Sequence, residues 1–325
     1  MKKFAVILGC VLIAVVVAVA CLIAFGAATP PSTSALVDGY KRADFTTLPP
    51  LERYTARDGV SLGFRRYAAA EPRPQVAVLI HGVSDSGVAL HRLAESLKAA
   101  NVTTYVPEVR GHGSNRPHGD IAYVGELDDD LVDLAAEIAR REPKASLRLA
   151  GFSAGGGFVL RFAGGPHAGL FERYLLLSPA LAVQGPIVRP KPAVPTPVAA
   201  FTVPYVPRLI GLGLANAVGV HAFDSLPVLG FAVPEDSPTL TRAYSLRLLK
   251  NLMPEDYVRS IDAVSRPMQV LIGDADEFSV ASEVVRAFAA AHPAIPVKVL
   301  PGVGHMALVS APPAIEAIDA WAVAD

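Results

Sequence analysis

The stretch LRLAGFSAGGGFVL, Leu147 to Leu160, runs from an apolar, strand-like segment through Gly-x-Ser-x-Gly into a helix-like one. A strand-to-helix turn this tight crowds its flanks. Gly151 and Gly155 remove the Cβ atoms that would clash, and Ser153 is thrust outward. The helix that follows supplies free N–H groups and the positive end of its dipole, which favour an oxyanion. Alone, the pattern also fits a packed bend or a cofactor loop, although GFSAGGG lacks the Gly-x-Gly-x-x-Gly order of a dinucleotide turn. A serine nucleophile needs a base, and the base needs an orienting carboxylate. Two later segments supply them: VLIGDADEF ends an apolar run in Asp274 and Asp276, and VKVLPGVGHM ends the next in His305.

These residues need a frame that brings distant strand ends together, and the pattern around them provides one. YTARDG and SLGFRRYAA read as a hairpin around Asp58-Gly59, and QVAVLIHG as a short strand buried on both faces. Leu90 to Ala100 has helical spacing. Then come strand VTTYVPEV, helix ELDDDLVDLAAEIARRE, strand SLRLAGFS, helix AGGGFVLRFAG and strand RYLLLSPAL. Strand PMQVLIGD, helix ASEVVRAFAAAH, strand PVKVLPGV and helix PPAIEAIDAWAV close the chain. Strands alternating with helices predict an α/β fold with a mostly parallel central sheet and helices on both faces. Reactive groups should gather at the C-terminal ends of such strands.

The alternation breaks between about residues 182 and 251, where no clean strand is visible and seven prolines fall between Pro186 and Pro207. That density is too high for a continuous helix or a central strand. The segment is nearly uncharged, with LIGLGLANAVGV and LPVLGFAV almost wholly apolar, and is read as a cap inserted over an apolar pocket.

Four segments together resemble the α/β-hydrolases: LIHGVSDSG, VPEVRGHGSN, GFSAGG, and the pair GDADEF and PGVGHM. The order Ser, Asp, His is the one that superfamily uses. More narrowly, the chain from about Leu51 to Ala324 resembles the group of monoacylglycerol lipases, lysophospholipases and serine aminopeptidase domains. The resemblance implies a triad of Ser153, Asp276 and His305, with Asp276 favoured over Asp274. It also implies an oxyanion turn at His81-Gly82, with the backbone N–H groups of Val83 and Ala154 as oxyanion donors. His81 is then structural, and His112 in RGHGSN braces loops near the site. Phe152 and Ala154 depart from the histidine and methionine frequent at those places in the group. No metal or organic cofactor is implied.

The N-terminal block from Phe4 to Ala28 is uncharged and follows Lys2 and Lys3. Its twenty-five residues would make about 37 Å of helix, enough to cross a hydrocarbon core of roughly 30 Å. Residues 1–28 are therefore expected to be a transmembrane anchor, with a cleaved signal ending at Gly26-Ala27-Ala28 as the alternative. Residues 29–50 are expected to form a Pro-, Ser- and Thr-containing linker, and residues 51–325 the catalytic domain. Lys2 and Lys3 stay on the cytoplasmic side, placing the body outside the cytoplasm, anchored or secreted. Both cysteines, Cys10 and Cys21, lie in the N-terminal block, so the body has no thiol for a disulfide or a metal. A net charge of −1, from 29 basic and 30 acidic residues, gives no basis for binding nucleic acid.

The expected chemistry is hydrolysis of a carboxylic ester, with a lipophilic small molecule of the monoacylglycerol or lysophospholipid type as substrate. Three alternatives remain open: acyl transfer to an alcohol, peptidase activity on the same triad, and a non-catalytic, membrane-tethered binding protein. A peptidase would need an acidic pocket for a peptide amine, and the cap acids are Asp224, Glu235 and Asp236.

Overall fold

The computed structural model describes residues 2–30, 44–190, 201–234 and 237–324. Most of the expected linker, the proline-rich stretch 191–200, and the acids Glu235 and Asp236 lie outside them. The chain begins with α1 (Lys2–Phe25). Among the described residues, the next regular element is a hairpin of β1 (Leu51–Thr55) and β2 (Ser61–Tyr67), in which Thr55 faces Ser61. Its turn forms at the expected residues: Gly59 takes φ 85°, and the Asp58 carboxylate accepts the Val60 N–H at 3.1 Å.

The remaining strands of the main sheet are β3 (Gln75–Ile80), β4 (Thr103–Pro107), β5 (Ser146–Phe152), β6 (Arg173–Leu177), β10 (Met268–Gly273) and β11 (Val297–Leu300). The eight strands lie in the order β1-β2-β4-β3-β5-β6-β10-β11. Pairing is parallel from β4 to β11 and antiparallel only around β2. Successive residues along a strand face opposite sides, so each central strand supplies two cores. Val76, Val78, Leu149, Leu176 and Val270 point to one layer, and Ala77, Leu79, Ala150, Leu175 and Leu271 to the other.

Helices α2 (His91–Ala99), α3 (Glu126–Arg141) and α4 (Ala154–Ala163) follow β3, β4 and β5. Leu127, Leu131, Leu134 and Ile138 of α3 recur at the spacing of one helix face and enter the first layer with Phe158 of α4, while Leu93 and Leu97 of α2 enter the second. The buried Arg148 on β5 donates to the carbonyl oxygens of Trp321, at 2.6 Å, and Ala324, fixing the C-terminal helix beneath the second layer.

The segment after β6 does contain strands, contrary to the sequence reading. β7 (Thr202–Pro204), β8 (Pro227–Phe231) and β9 (Ala243–Ser245) form a small antiparallel sheet with α5 (Val206–Ala217) between β7 and β8. They are only three to five residues long, and two are bounded by proline, so they carry too little alternation to be recognised in isolation. Helices α6 (Leu246–Leu252) and α7 (Tyr257–Asp262) lead back to β10, and α8 (Ala281–Ala291) and α9 (Pro312–Val323) complete the layers.

Candidate active site

Ser153 sits between β5 and α4 with φ 55° and ψ −118°, a conformation that a non-glycine residue holds only where its surroundings enforce it. The enforcement is visible. The Ser153 N–H donates to Leu177 O at 2.9 Å, and its carbonyl accepts from the N–H groups of Gly157 at 3.1 Å and Ala180 at 2.8 Å. A Cβ on Gly151 would stand 2.2 Å from the Gly155 carbonyl oxygen, and one on Gly155 would stand 2.5 Å from those of Ile80 and His81. Those contacts are with backbone, which cannot swing aside. Both glycines are therefore required by close approach rather than by unusual torsion angles.

Asp276 and His305 emerge just beyond β10 and β11. Asp276 is fully buried; its Oδ2 meets His305 Nδ1 at 2.8 Å, and its Oδ1 accepts the N–H groups of Phe278 and Ser279, both at 2.8 Å. Burial alone would push this carboxyl up, but the hydrogen bonds from His305 and the Ser279 amide outweigh it and hold it below the ordinary carboxylate value. Asp274 faces elsewhere: its Oδ1 accepts the Gly302 N–H at 2.7 Å and shapes the turn after β11. Of the two acids, Asp276 is the one joined to the imidazole.

The imidazole lies between two aromatic rings, Phe152 at 4.9 Å and Phe278 at 4.7 Å between centroids. Its main chain is held by Glu277, whose Oε2 accepts the His305 N–H at 2.7 Å. Ser153 and His305 are walls of one cavity and share no hydrogen bond among the described contacts. Such bonds are often long in the absence of substrate and shorten when it binds.

The turn after β3, at His81-Gly82-Val83, borders the same cavity as His305. Gly82 is packed against Ser153, a Cβ there falling 3.2 Å from Ser153 Cβ. His81 is a structural brace: its Nε2 accepts the Val109 N–H at 3.1 Å, so the proton is on Nδ1, which donates to Gly82 O at 2.9 Å. Burial lowers the pKa of His81 and, further, that of His112, so both rings are neutral at pH 7. His112 gives its Nδ1 proton to Arg110 O at 3.1 Å, and its Nε2 accepts from the Tyr244 hydroxyl. The same hydroxyl oxygen accepts the Ser84 N–H at 2.7 Å, while Ser84 Oγ donates to Thr241 O and the Thr241 N–H to Ser84 O, both at 2.7 Å. Ser84 (φ 65°) immediately follows Val83, so β9 and the residues before it fix the loop that presents the Val83 N–H.

The cavity encloses about 730 Å³ and is walled mainly by apolar side chains, among them Val206, Leu209, Ile210, Leu229 and Met253. Val83, Ser153 and His305 lie along it, as do the carboxylates Asp85 and Glu277. Sequence reasoning missed Tyr244, Ser84, Thr241 and the positioning role of Glu277. The position of Glu277 beside Asp276 was the single available hint; the others depend on contacts between segments far apart in the chain.

The fold is that of an α/β-hydrolase. Residues 70–310 match the Hydrolase_4 family, described as serine aminopeptidase, S33, and the chain belongs to that family. Its fold is shared with a monoacylglycerol lipase from Paleococcus ferrophilus (19% identity, TM-score 0.56, covering 81% of this chain and 99% of the other). It is shared equally with a soluble variant of the Saccharomyces cerevisiae monoglyceride lipase bound to a substrate analogue (17%, TM-score 0.63, 87% and 97%). A putative aryl esterase from Burkholderia cenocepacia is a further example (14%, TM-score 0.56, 84% and 97%).

Proposed function

We propose that the protein is a serine hydrolase that cleaves lipophilic carboxylic esters at a membrane surface. The observation that carries this reading is the Asp276–His305 hydrogen bond opening, with Ser153, onto one large apolar cavity. His305 Nε2 takes the Ser153 proton as Oγ attacks the ester carbonyl, while Asp276 holds Nδ1–H and stabilises the imidazolium. The Val83 and Ala154 N–H groups receive the oxyanion; losing one such donor costs on the order of 3 kcal/mol in comparable sites. Collapse of the tetrahedral intermediate expels the alcohol, which takes its proton from His305. Water then repeats the sequence, and the released acid leaves Ser153 restored.

The apolar walls favour an acyl chain, and the monoacylglycerol lipases that share the fold are consistent with it. Helix α1 is a fully apolar segment after Lys2 and Lys3, long enough to span a bilayer, and we read it as a retained anchor that leaves the hydrolase outside the cytoplasm. A peptidase reading draws on the family description and on Asp85 and Glu277 in the cavity wall, although Glu277 is occupied by the His305 amide.

A fluorophosphonate probe tests the reading: wild type is expected to label and Ser153→Ala not to, and a folded wild type that fails to label favours a non-catalytic binding protein. A series of p-nitrophenyl esters, with monoacylglycerol, lysophospholipid and an aminoacyl p-nitroanilide alongside, tests the substrate class. Preference for acetyl over long chains defeats the lipid assignment, and turnover of the anilide alone favours the peptidase. Product analysis with an added alcohol acceptor detects acyl transfer.

A further inference from the structure

Helix α1 ends against the cap. Val19, Leu22 and Ile23, spaced by one, three and four residues, form its covered face together with Gly26 just past its end, and its partner is α5. The two backbones come close: a Cβ on Gly211 would lie 2.9 Å from Ile23 Cγ1, and one on Gly26 would lie 2.5 Å from the Arg208 nitrogen. Arg208, itself buried, closes the contact. Its Nε donates to Ile23 O at 2.8 Å, its Nη2 to Ala24 O at 3.2 Å, and its Nη1 to Pro227 O at 3.0 Å at the start of β8. The last four carbonyls of a helix lack partners within it and carry the negative end of its dipole, so a guanidinium there satisfies both needs. One side chain thus joins the end of α1 to two elements of the cap.

Among the described residues, nothing covers the opposite face of α5. Its exposed residues are Val206, Pro207, Ile210, Gly213, Leu214 and Ala217, and none has a polar side chain. Val206, Ile210 and Leu214, each about half exposed (53%, 52% and 51%), stand one turn apart on a single stripe. A helix facing water would carry polar side chains there. Val206 and Ile210 also line the catalytic cavity, so its rim lies on this stripe.

We propose that α5 lies in the interfacial layer of the bilayer that α1 crosses, held there by Arg208, and that the cavity rim at Val206 and Ile210 opens into lipid. The occupant of the stripe is the membrane because the spanning helix ends on the same cap helix, bringing the stripe to the lipid surface. The inference rests on α1 being a retained anchor and is independent of the catalytic assignment. The cap is then an extension of the anchor, and an acyl chain passes from bilayer to cavity without crossing water.

The test uses the full chain carrying Cys10→Ala and Cys21→Ala, in phosphatidylcholine–phosphatidylglycerol vesicles, with a nitroxide at Ile210→Cys or Leu214→Cys. Collision with oxygen, which concentrates in lipid, is compared with collision with a water-soluble nickel chelate. A label at Leu170→Cys, exposed near the opposite end of the sheet, is the aqueous control. Labels at 210 and 214 are expected to favour oxygen severalfold over the control. Arg208→Ala, or Gly211→Val as a wedge that leaves the guanidinium in place, is expected to shift the 210 label toward nickel while α1 stays resistant to carbonate extraction. Nickel accessibility at 210 and 214 equal to that at 170 overturns the proposal, as does spin–spin broadening that reveals a second copy on the stripe. Unchanged oxygen preference in both Arg208→Ala and Gly211→Val removes the joint. An intact mass lacking residues 1–28 overturns the anchor reading separately, and none of these measurements depends on turnover.

Discussion

The strand-end site and the cap that roofs it are held by different means. At the site, nearly every polar group is committed: the Asp276 carboxylate accepts three hydrogen bonds, His81 and His112 are neutral and each bonded at both ring nitrogens, and Gly151 and Gly155 lie against backbone that cannot yield. The upstream part of the cap relies on apolar contact, a three-stranded sheet and one buried arginine. The first arrangement fixes atoms to the fraction of an ångström that bond making needs, whereas the second shapes a volume that can vary without loss of chemistry. Substitutions in the two regions should therefore alter different kinetic constants.

The sharpest way to break that contrast is at Ser153, the proposed nucleophile. Ser153→Ala is expected to lower kcat for any accepted ester by about 10⁶-fold with the melting temperature nearly unchanged, as measured by steady-state kinetics and circular dichroism. Asp276→Asn should cost on the order of 10⁴-fold in kcat. It also carries a pH signature. The folded-state value of Asp276 is depressed, so its stabilisation is complete above the ordinary carboxylate value and disappears as pH falls through the folded one. Wild type should lose melting temperature on acidification below about pH 4, and Asp276→Asn should lose less.

Next in size is Gly155→Ala, which places a methyl group on two backbone carbonyls and should destabilise the fold by about 3 kcal/mol, read by urea unfolding. Tyr244→Phe leaves the Ser84 N–H and His112 Nε2 without their partner; kcat is expected to fall about tenfold with KM little changed, consistent with a lost buried hydrogen bond. An equal effect on KM would place Tyr244 in the substrate site instead. An effect of similar size, confined to one class of substrate, belongs to the roof. Leu209→Trp should reduce kcat/KM for long-chain esters by about tenfold and leave p-nitrophenyl acetate untouched. A uniform loss across chain lengths would erase the distinction between the regions.

Much of the core was legible in the sequence, because the signals there are local. The Asp58-Gly59 turn and the alternation of strands and helices are set by torsion angles and spacing that a single segment displays, and the glycine pair around Ser153 is visible as a local pattern although the backbone that Gly155 touches belongs to a distant strand end. The acid and the imidazole could be placed because each ends an apolar run. The cap was legible only as an interruption: its strands form because β8 pairs on both sides, a condition no single segment reveals. Arg208 read merely as one of few charges in an apolar stretch, and Tyr244 as one aromatic residue among many, since the α1 carbonyls that Arg208 meets lie 184 or 185 residues away and the partners of Tyr244 132 to 160.

The stretch Thr241–Ser245 is stitched to Ser84 in the loop after β3 and to Gly111 and Gly119 by hydrogen bonds at both ends. That side of the roof is stapled to the body at two points, so any displacement there would have to break buried polar contacts. The α5 side meets the core mainly through apolar side chains, and its own staple runs to α1 instead.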